Sequence, residues 1–418
     1  MPHPFLGIGF TSPLFSKFDR EETEALLELT TTSDTNFYQM IITSTGDGNN
    51  QWNYQIDWGD GNIEDFDETT GSPGHAYSSP GVYEIKINPV APTDHLFFQA
   101  MSTEFEKITM VDGTGSPYWT SMANGFAFHN QITSVSSSLD TSNATIWYGT
   151  FFQCRNLTPF PLLDTSSADL MEYVWYDCTS LTSFPLIDTS NVTTMTQCWA
   201  HCTELTSFPS IDTSSVVSTG GNGQFTGFFA TWLNCNKLTS FPIIDVSSAT
   251  SLEQTWQQCS SLTSFPSIDT SNITLFDQTW QGCSGLTSFP SLNFQNGESF
   301  RFTWYNCSGM TAFPGSSQGF SSATDFTGAW ESCINLADFA SNVFDGCSCT
   351  DFYGAFNNCS SLTPQSIENI LTSIDSNNTS SGSILMGGTT PGESTWTTAA
   401  LTAKANLVAR SWTIISNT

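Results

Sequence analysis

The chain has 418 residues, 38% of them hydrophobic and 13% aromatic, enough for one extended array plus a small additional domain. Charged residues make up only 11%, and 39 acidic against 9 basic side chains leave a net charge of -30 at pH 7. That balance excludes a nucleic-acid binder, which needs clustered Lys and Arg against phosphate, and makes an anionic membrane an equally poor partner.

The opening residues Met1-Pro2-His3-Pro4-Phe5 lack the charged and apolar regions of a secretion signal, so none is expected. No apolar stretch approaches the roughly 20 residues that span a bilayer, so membrane insertion is not expected either. Phe5, Leu6, Ile8, Phe10, Leu14 and Phe15 stand among Gly, Ser and Pro with neither helical nor strand period. Such a segment has no core of its own, and residues 1–19 read as an anchor that buries those side chains against a neighbouring subunit.

Over residues 20–100, Phe37 to Ile42, Trp52 to Trp58 and Val82 to Ile87 read as strands separated by Gly, Asn and Asp clusters, which predicts a small β-sandwich. Residues 101–363 repeat. Cys154, Cys178, Cys202, Cys235, Cys259, Cys283, Cys307, Cys333 and Cys359 are spaced by 24, 24, 33, 24, 24, 24, 26 and 26 residues. An aromatic stands three residues before each, among them Trp175, Trp256 and Trp280, and Leu or Met three after, as at Leu181 and Leu262. Phe follows six after the first eight, as at Phe184 and Phe265. An earlier degenerate unit has His129 in the cysteine slot, giving about ten units of about 24 residues, a solenoid period.

Within a unit, Met195, Trp199 and Cys202 follow i, i+4, i+7 spacing, which predicts a short α or 3₁₀ helix with one apolar face. Leu205-Thr206-Ser207-Phe208-Pro209 predicts a short strand, and Asp212-Thr213-Ser214 a turn. Parallel stacking at about 4.8 Å per coil would set each Trp, Cys, Leu and Phe on its own kind. The 33-residue spacing carries a Gly-rich insertion, Thr219 to Gln224, that must leave the coil as a loop. Residues 364–418 read as a cap, with a helix over Pro364 to Ile374, a Ser/Asn/Gly-rich loop, a helix over Thr397 to Ala409 and a strand over Trp412 to Ile415.

The segment Asp57-Trp58-Gly59-Asp60-Gly61, with His75, Tyr77, Pro80, Gly81 and Tyr83 downstream, resembles the polycystic-kidney-disease (PKD) type of immunoglobulin-like domain. The repeat Trp-x-x-Cys-x-x-Leu-Thr-x-Phe-Pro-x-Ile-Asp-Thr-Ser-Asn resembles the BspA-like leucine-rich-repeat surface proteins. These resemblances imply a mixed β/α fold, a PKD-like sandwich followed by a leucine-rich-repeat solenoid and a helix-strand cap. They also imply adhesin-like or bacteriophage structural functions. In the PKD-like family Asp57 and Asp60 shape a turn rather than form a catalytic pair.

The spacings Cys198-x₃-Cys202 and Cys347-x-Cys349 fit metal pairs, yet with five histidines in the chain no four-ligand zinc set is apparent. Identical coils point their Cβ vectors the same way, poor geometry for disulfides, so the ladder cysteines read as buried free thiols. Asp164, Asp188, Asp212, Asp245 and Asp269 stand in equivalent turns. Calcium bridging them is one reading; the favoured one has each carboxylate accept N–H bonds of its own Asx turn, with no cofactor. The Thr-Ser pairs before each Phe, such as Thr182-Ser183, Thr206-Ser207 and Thr263-Ser264, predict a hydroxyl ladder suited to glycans or protein, or simply solvated. No nucleophile-base set, glycosidase carboxylate pair or phosphate loop can be placed, so no enzymatic activity is expected.

The expectation is a non-enzymatic bacteriophage virion protein, a decoration or host-attachment component located at the particle surface. Its partners would be other virion proteins and a host-surface glycan or protein, with homo-oligomerisation left open. A bacterial cell-surface adhesin and a glycan-degrading enzyme with a hidden site are the alternatives.

Overall fold

The computed structural model describes short segments between residues 25 and 109, then 121–217, 227–315 and 319–417 apart from 131, 136, 138 and 140. The anchor residues Phe5, Leu6, Ile8, Phe10, Leu14 and Phe15, together with Pro80 and the Gly-rich insertion, lie outside the described residues.

The first part is built of eight strands: β1 (Ala25–Thr31), β2 (Phe37–Ser44), β3 (Asn53–Asp57), β4 (Ile63–Asp67), β5 (Gly74–Ala76), β6 (Gly81–Pro89), β7 (Leu96–Ala100) and β8 (Lys107–Thr109). They form an antiparallel sheet of order β4-β3-β6-β1-β8 and a second of order β5-β2-β7. Because β8 pairs with β1 from Glu28↔Thr109 to Thr30↔Lys107, this unit runs to residue 109 and not to 100.

From Ser121 the chain winds in stacked coils. The helix expected in each coil is absent among the described residues of the array, replaced by a run of successive turns. In the coil of Cys259, the amides of Thr255, Gln257 and Cys259 donate three residues back, to Leu252, Gln254 and Trp256. The alternate amides of Leu252, Gln254, Trp256 and Gln258 instead donate to Leu275, Asp277, Thr279 and Gln281 of the next coil, at 2.7–3.0 Å. A helix would have used those amides internally; here they stitch coil to coil. Such a path needs left-handed residues four apart, Gln254 (φ 57°) and Gln258 (φ 64°) in this coil and Gln278 (φ 58°) and Gly282 (φ 74°) in the next. Other coils fill the slot of Gly282 with Asp177, His201, Asn234, Gln258 and Asn306, all at positive φ.

The strand expected before each Phe-Pro is extended chain without a sheet ladder. Most coils make one bond there, such as Thr206 N to Thr182 O and Thr263 N to Thr239 O. The proline that follows each Phe has no N–H to continue the pairing. Two-residue strands appear only toward the end of the array: β9 (Ala312–Phe313), β10 (Asp338–Phe339) and β11 (Asp351–Phe352), of which β9 and β10 pair in parallel.

The interior consists of ladders of like residues. Trp175, Cys178, Leu181, Trp256, Cys259, Leu262, Trp280 and Cys283 are fully buried, and Phe184 and Phe265 nearly so. The aromatic three before each cysteine stacks on its counterpart from Phe126 to Phe356, with centroids 5.0–6.4 Å apart and planes within 12°. Phe184 and Phe265 meet the indoles of Trp175 and Trp256 edge-on at 4.6 and 4.8 Å. Seven indole N–H groups, from Trp175 to Trp330, are buried with no oxygen or sulfur acceptor.

The ladder cysteines are free thiols, and each Sγ donates to the carbonyl of the aromatic one coil earlier, at 2.9–3.2 Å. Burial pushes every one of these thiols up, to about 12 at Cys259 and Cys359. Cys198, read as a possible partner of Cys202, occupies the slot filled elsewhere by the buried hydroxyls of Thr231, Thr255, Thr279 and Thr303.

The end of the array is closed by α1 (Pro364–Ser376), β12 (Ser383–Met386), a single 3₁₀ turn (Glu393–Thr395), α2 (Thr398–Ala409) and β13 (Thr413–Ser416). Thr363 caps α1 by accepting from Ser366 N, with Pro364 in the first turn. Asn369 and Asn377 of this region donate to Phe339 O and Phe344 O, supplying bonds that a further coil would have made. Strands β11, β12 and β13 pair in parallel, so the cap prolongs the stack. The Ser/Asn/Gly-rich segment read as loop thus contains β12, and α1 extends two residues past Ile374.

Candidate binding face

The residues from Asp57 to Gly61, with His75, Tyr77, Gly81 and Tyr83, form a compact corner. Asp57 Oδ1 accepts from Gly59 N at 2.9 Å and Asp60 Oδ1 from Asn62 N at 3.1 Å, while Gly59 and Gly61 adopt positive φ. Trp58 is fully buried, stacks on His75 at 4.9 Å, and its carbonyl accepts the Tyr77 hydroxyl at 2.8 Å. His75 Nε2 lies 2.8 Å from Asp60 Oδ2. Burial opposes ionisation of Asp60, but the His75 and Asn62 contacts outweigh it and hold the carboxyl below its usual range. Tyr83 stacks on Tyr77 at 3.9 Å, passes close to Gly81, and donates to Ser79 O at 2.6 Å. The carboxylates, His75 and both tyrosine hydroxyls are engaged within the corner, while the buried Trp58 Nε1 has no hydrogen-bond partner.

The Asp-Thr-Ser corner of the coils is similarly occupied. Asp164, Asp188 and Asp212 each accept from N and Oγ of the Ser two residues on, and Asp245 and Asp269 from Ser247 N and Ser271 N. The Ser166 and Ser214 contacts hold Asp164 and Asp212 below the usual carboxylate range. Thr165, Thr189 and Thr213 donate across to Asp188 O, Asp212 O and Asp245 O. No group of three metal-ligating side chains occurs among the described residues.

The Thr-Ser row is exposed, but its threonine hydroxyls are engaged. Thr206, Thr239, Thr263 and Thr311 Oγ1 donate to the threonine carbonyl one coil earlier, at 3.1–3.3 Å. As donors these hydroxyls belong to the stack, which weakens the case for this row as the recognition surface.

The opposite side carries what the sequence reading missed. Tyr148, Phe152, Tyr173 and Tyr176 project half-buried from two successive coils, with Phe128 before them and His201 after. Phe152 lies flat on Tyr176 at 4.8 Å and 7°, Phe128 meets Phe152 at 5.2 Å, Tyr148 meets Tyr173 at 5.6 Å, and Tyr176 meets His201 at 5.2 Å. Tyr173 has φ 59°, a conformation costly for an aromatic residue. The interior does not require these rings. Four coils on, the slot of Tyr173 holds Gln254 and Gln278, that of Phe152 and Tyr176 holds Gln257 and Gln281, and that of Tyr148 holds Glu253 and Asp277, with Gln257 Nε2 bonded to both Gln278 and Gln281 Oε1.

Glu172 sits beside Tyr148 and Tyr173; burial raises its carboxyl, opposed by the bond from Thr194 Oγ1 at 3.2 Å. Burial, reinforced by Glu172, raises the Tyr148 hydroxyl; burial and the neighbours Tyr148 and Glu172 raise that of Tyr173, so both remain donors at neutral pH. Arg155 clamps Asp177 Oδ2 through Nε and Nη2 at 2.9 and 2.7 Å. The patch therefore offers apolar ring surface, phenol donors and one carboxylate acceptor. A slot-by-slot comparison of the units would have exposed it, since these positions depart from the repeat while the interior does not. No protein-family model matches the chain, and no curated protein matches it.

Proposed function

We propose that the chain is a non-enzymatic bacteriophage virion protein, a decoration or host-attachment component, that binds through its repeat array. The virion part of this reading rests on the resemblance to PKD-like and BspA-like leucine-rich-repeat modules. The binding part is carried by one observation: Tyr148, Phe152, Tyr173 and Tyr176 occupy outward slots that the stack does not need filled with aromatics. Aromatic side chains with polar tips are the common anchors of recognition surfaces. A host-surface glycan or protein is the proposed partner of this face. The segment containing Phe5, Leu6, Ile8, Phe10, Leu14 and Phe15 is the proposed attachment to other virion proteins.

The test is quantitative mass spectrometry and immunogold labelling of gradient-purified particles against host envelope fractions. A fixed copy number per particle supports the reading, and loss of incorporation on deleting residues 1–18 supports the anchor. Recovery only with the cell envelope replaces it with the surface-adhesin alternative.

A further inference from the structure

The outward side of α2 departs from what an exposed helix ordinarily carries. Ala400, Ala403 and Leu407 face inward and are buried. The opposite stripe, Thr398, Leu401, Thr402, Ala405, Val408 and Ala409, is exposed and contains no charged residue, with Leu401 40% and Val408 51% accessible. A helix with water on one side normally places charge there, and the last element of a repeat array normally presents a polar outer face. Neither holds for α2. Its one basic side chain, Lys404, is turned into the cap against Glu393; Arg410, just past its end, pairs with Asp375, and Asn406 also bonds Asp375. The neighbouring α1 buries Ile367, Ile370, Leu371 and Ile374, leaves Gln365 exposed, and ties Glu368 to Thr397 and Asp375 to Arg410.

We infer that this uncharged face of α2 is where two copies of the chain associate, helix against helix. Charge selects the occupant. Two chains of net charge -30 repel one another wherever acidic surfaces meet, and the exposed Asp164, Asp188, Asp212, Asp245 and Asp269 line one side of five successive coils. The α2 stripe is a place where that repulsion is locally absent. A basic partner finds no complement on it, whereas an identical stripe does, because a twofold contact brings the same surface to itself. Ala405, Ala409 and Thr402 keep the stripe low enough for close helix approach, with Leu401 and Val408 as the apolar contacts that drive it. The inference is independent of whether the chain belongs to a virion.

The experiment is light scattering coupled to size exclusion on the full chain, over a concentration series, at low salt and at 1 M salt. The wild-type chain is expected at twice its 45.6 kDa mass. Association should tighten in 1 M salt, where the screening length falls to about 3 Å and inter-chain repulsion is removed. Leu401→Glu with Val408→Glu should weaken association at least tenfold. Thr402→Glu, which removes no buried side chain, should do the same, and it decides the matter if the double variant fails to fold by near-ultraviolet circular dichroism. A wild-type monomer throughout, association weakened by salt, or a dimer unchanged in Thr402→Glu overturns the inference.

Discussion

At the Asp-Thr-Ser corner, Asp164, Asp188 and Asp212 hold the same turn by the same two bonds in coil after coil, whereas the outward turn face changes from Tyr148, Phe152, Tyr173 and Tyr176 to Glu253, Gln254, Gln257, Asp277, Gln278 and Gln281. Both regions belong to one backbone with one set of buried ladders. The difference lies in what each side chain is needed for. Where it completes a backbone bond within the stack the residue recurs; where it only meets solvent or a partner it is free to vary. Repetition thus marks the scaffold and its failure marks the candidate face.

The comparison is sharpened first by the interior both regions share. Burial pushes Cys259 and Cys359 up to about 12 and so disfavours the thiolate that reacts. Native protein should therefore resist a thiol reagent on the hour scale, and denaturation without reductant should release all 12 cysteines as free thiols. Disulfides between neighbouring ladder positions would break the reading of like-on-like packing.

Trp256→Ala comes next. It removes a fully buried indole held between two others, and chemical denaturation should show a loss of about 3–5 kcal/mol. An effect below 1 kcal/mol would mean the coils are not held by their stacked rings. At the corner, Asp212→Ala should cost about 1 kcal/mol, the scale of a lost side-chain cap, with Asp212→Asn retaining most of it.

On the variable face, Tyr176→Ser should change stability by less than about 1 kcal/mol while lowering binding to whatever partner is recovered. A loss comparable with that of Trp256→Ala would show the face to be part of the scaffold.

The smallest effect is a divergence in pH dependence. Asp164 and Asp212 are held below the usual carboxylate range, so the stability they contribute is present above that range and disappears as pH falls through their depressed values. Glu172, Glu253 and Asp277 on the turn face are raised, chiefly by burial, so their contribution is present below the usual range and disappears as pH rises through their raised values. Mild acidification should therefore stabilise slightly before strong acid destabilises. Glu172→Gln should flatten the first limb and Asp212→Ala the second, read from melting temperature against pH.

Much of the scaffold was legible because Trp, Cys, Leu and Phe recur at one spacing, and a period survives whatever backbone path realises it. The path itself was not legible. Spacing i, i+4, i+7 at Met195, Trp199 and Cys202 suits a helix and equally suits two successive turns of four residues. What separates them is the residue before each cysteine: Asp177, His201, Asn234 and Asn306 all adopt positive φ, and their types tolerate it. The strand β12 was hidden because Ser383 to Met386 is only four residues long within a Ser/Asn/Gly-rich segment, and its pairing with β11 and β13 is set by the stack it joins. The aromatic patch was missed for a different reason: a reading that searches for what repeats passes over the residues that do not.

The file of indoles has an optical consequence. From Trp175 to Trp330 the rings follow one another at 5.0–6.0 Å and within 10° of parallel, each sealed from water. Transition dipoles this close and this aligned do not absorb and emit as separate chromophores. Light taken up in one coil passes along the file by repeated transfer between neighbouring indoles. The array thereby carries its own gauge of continuity, since a coil that slips out of register anywhere along it divides one long antenna into two short ones.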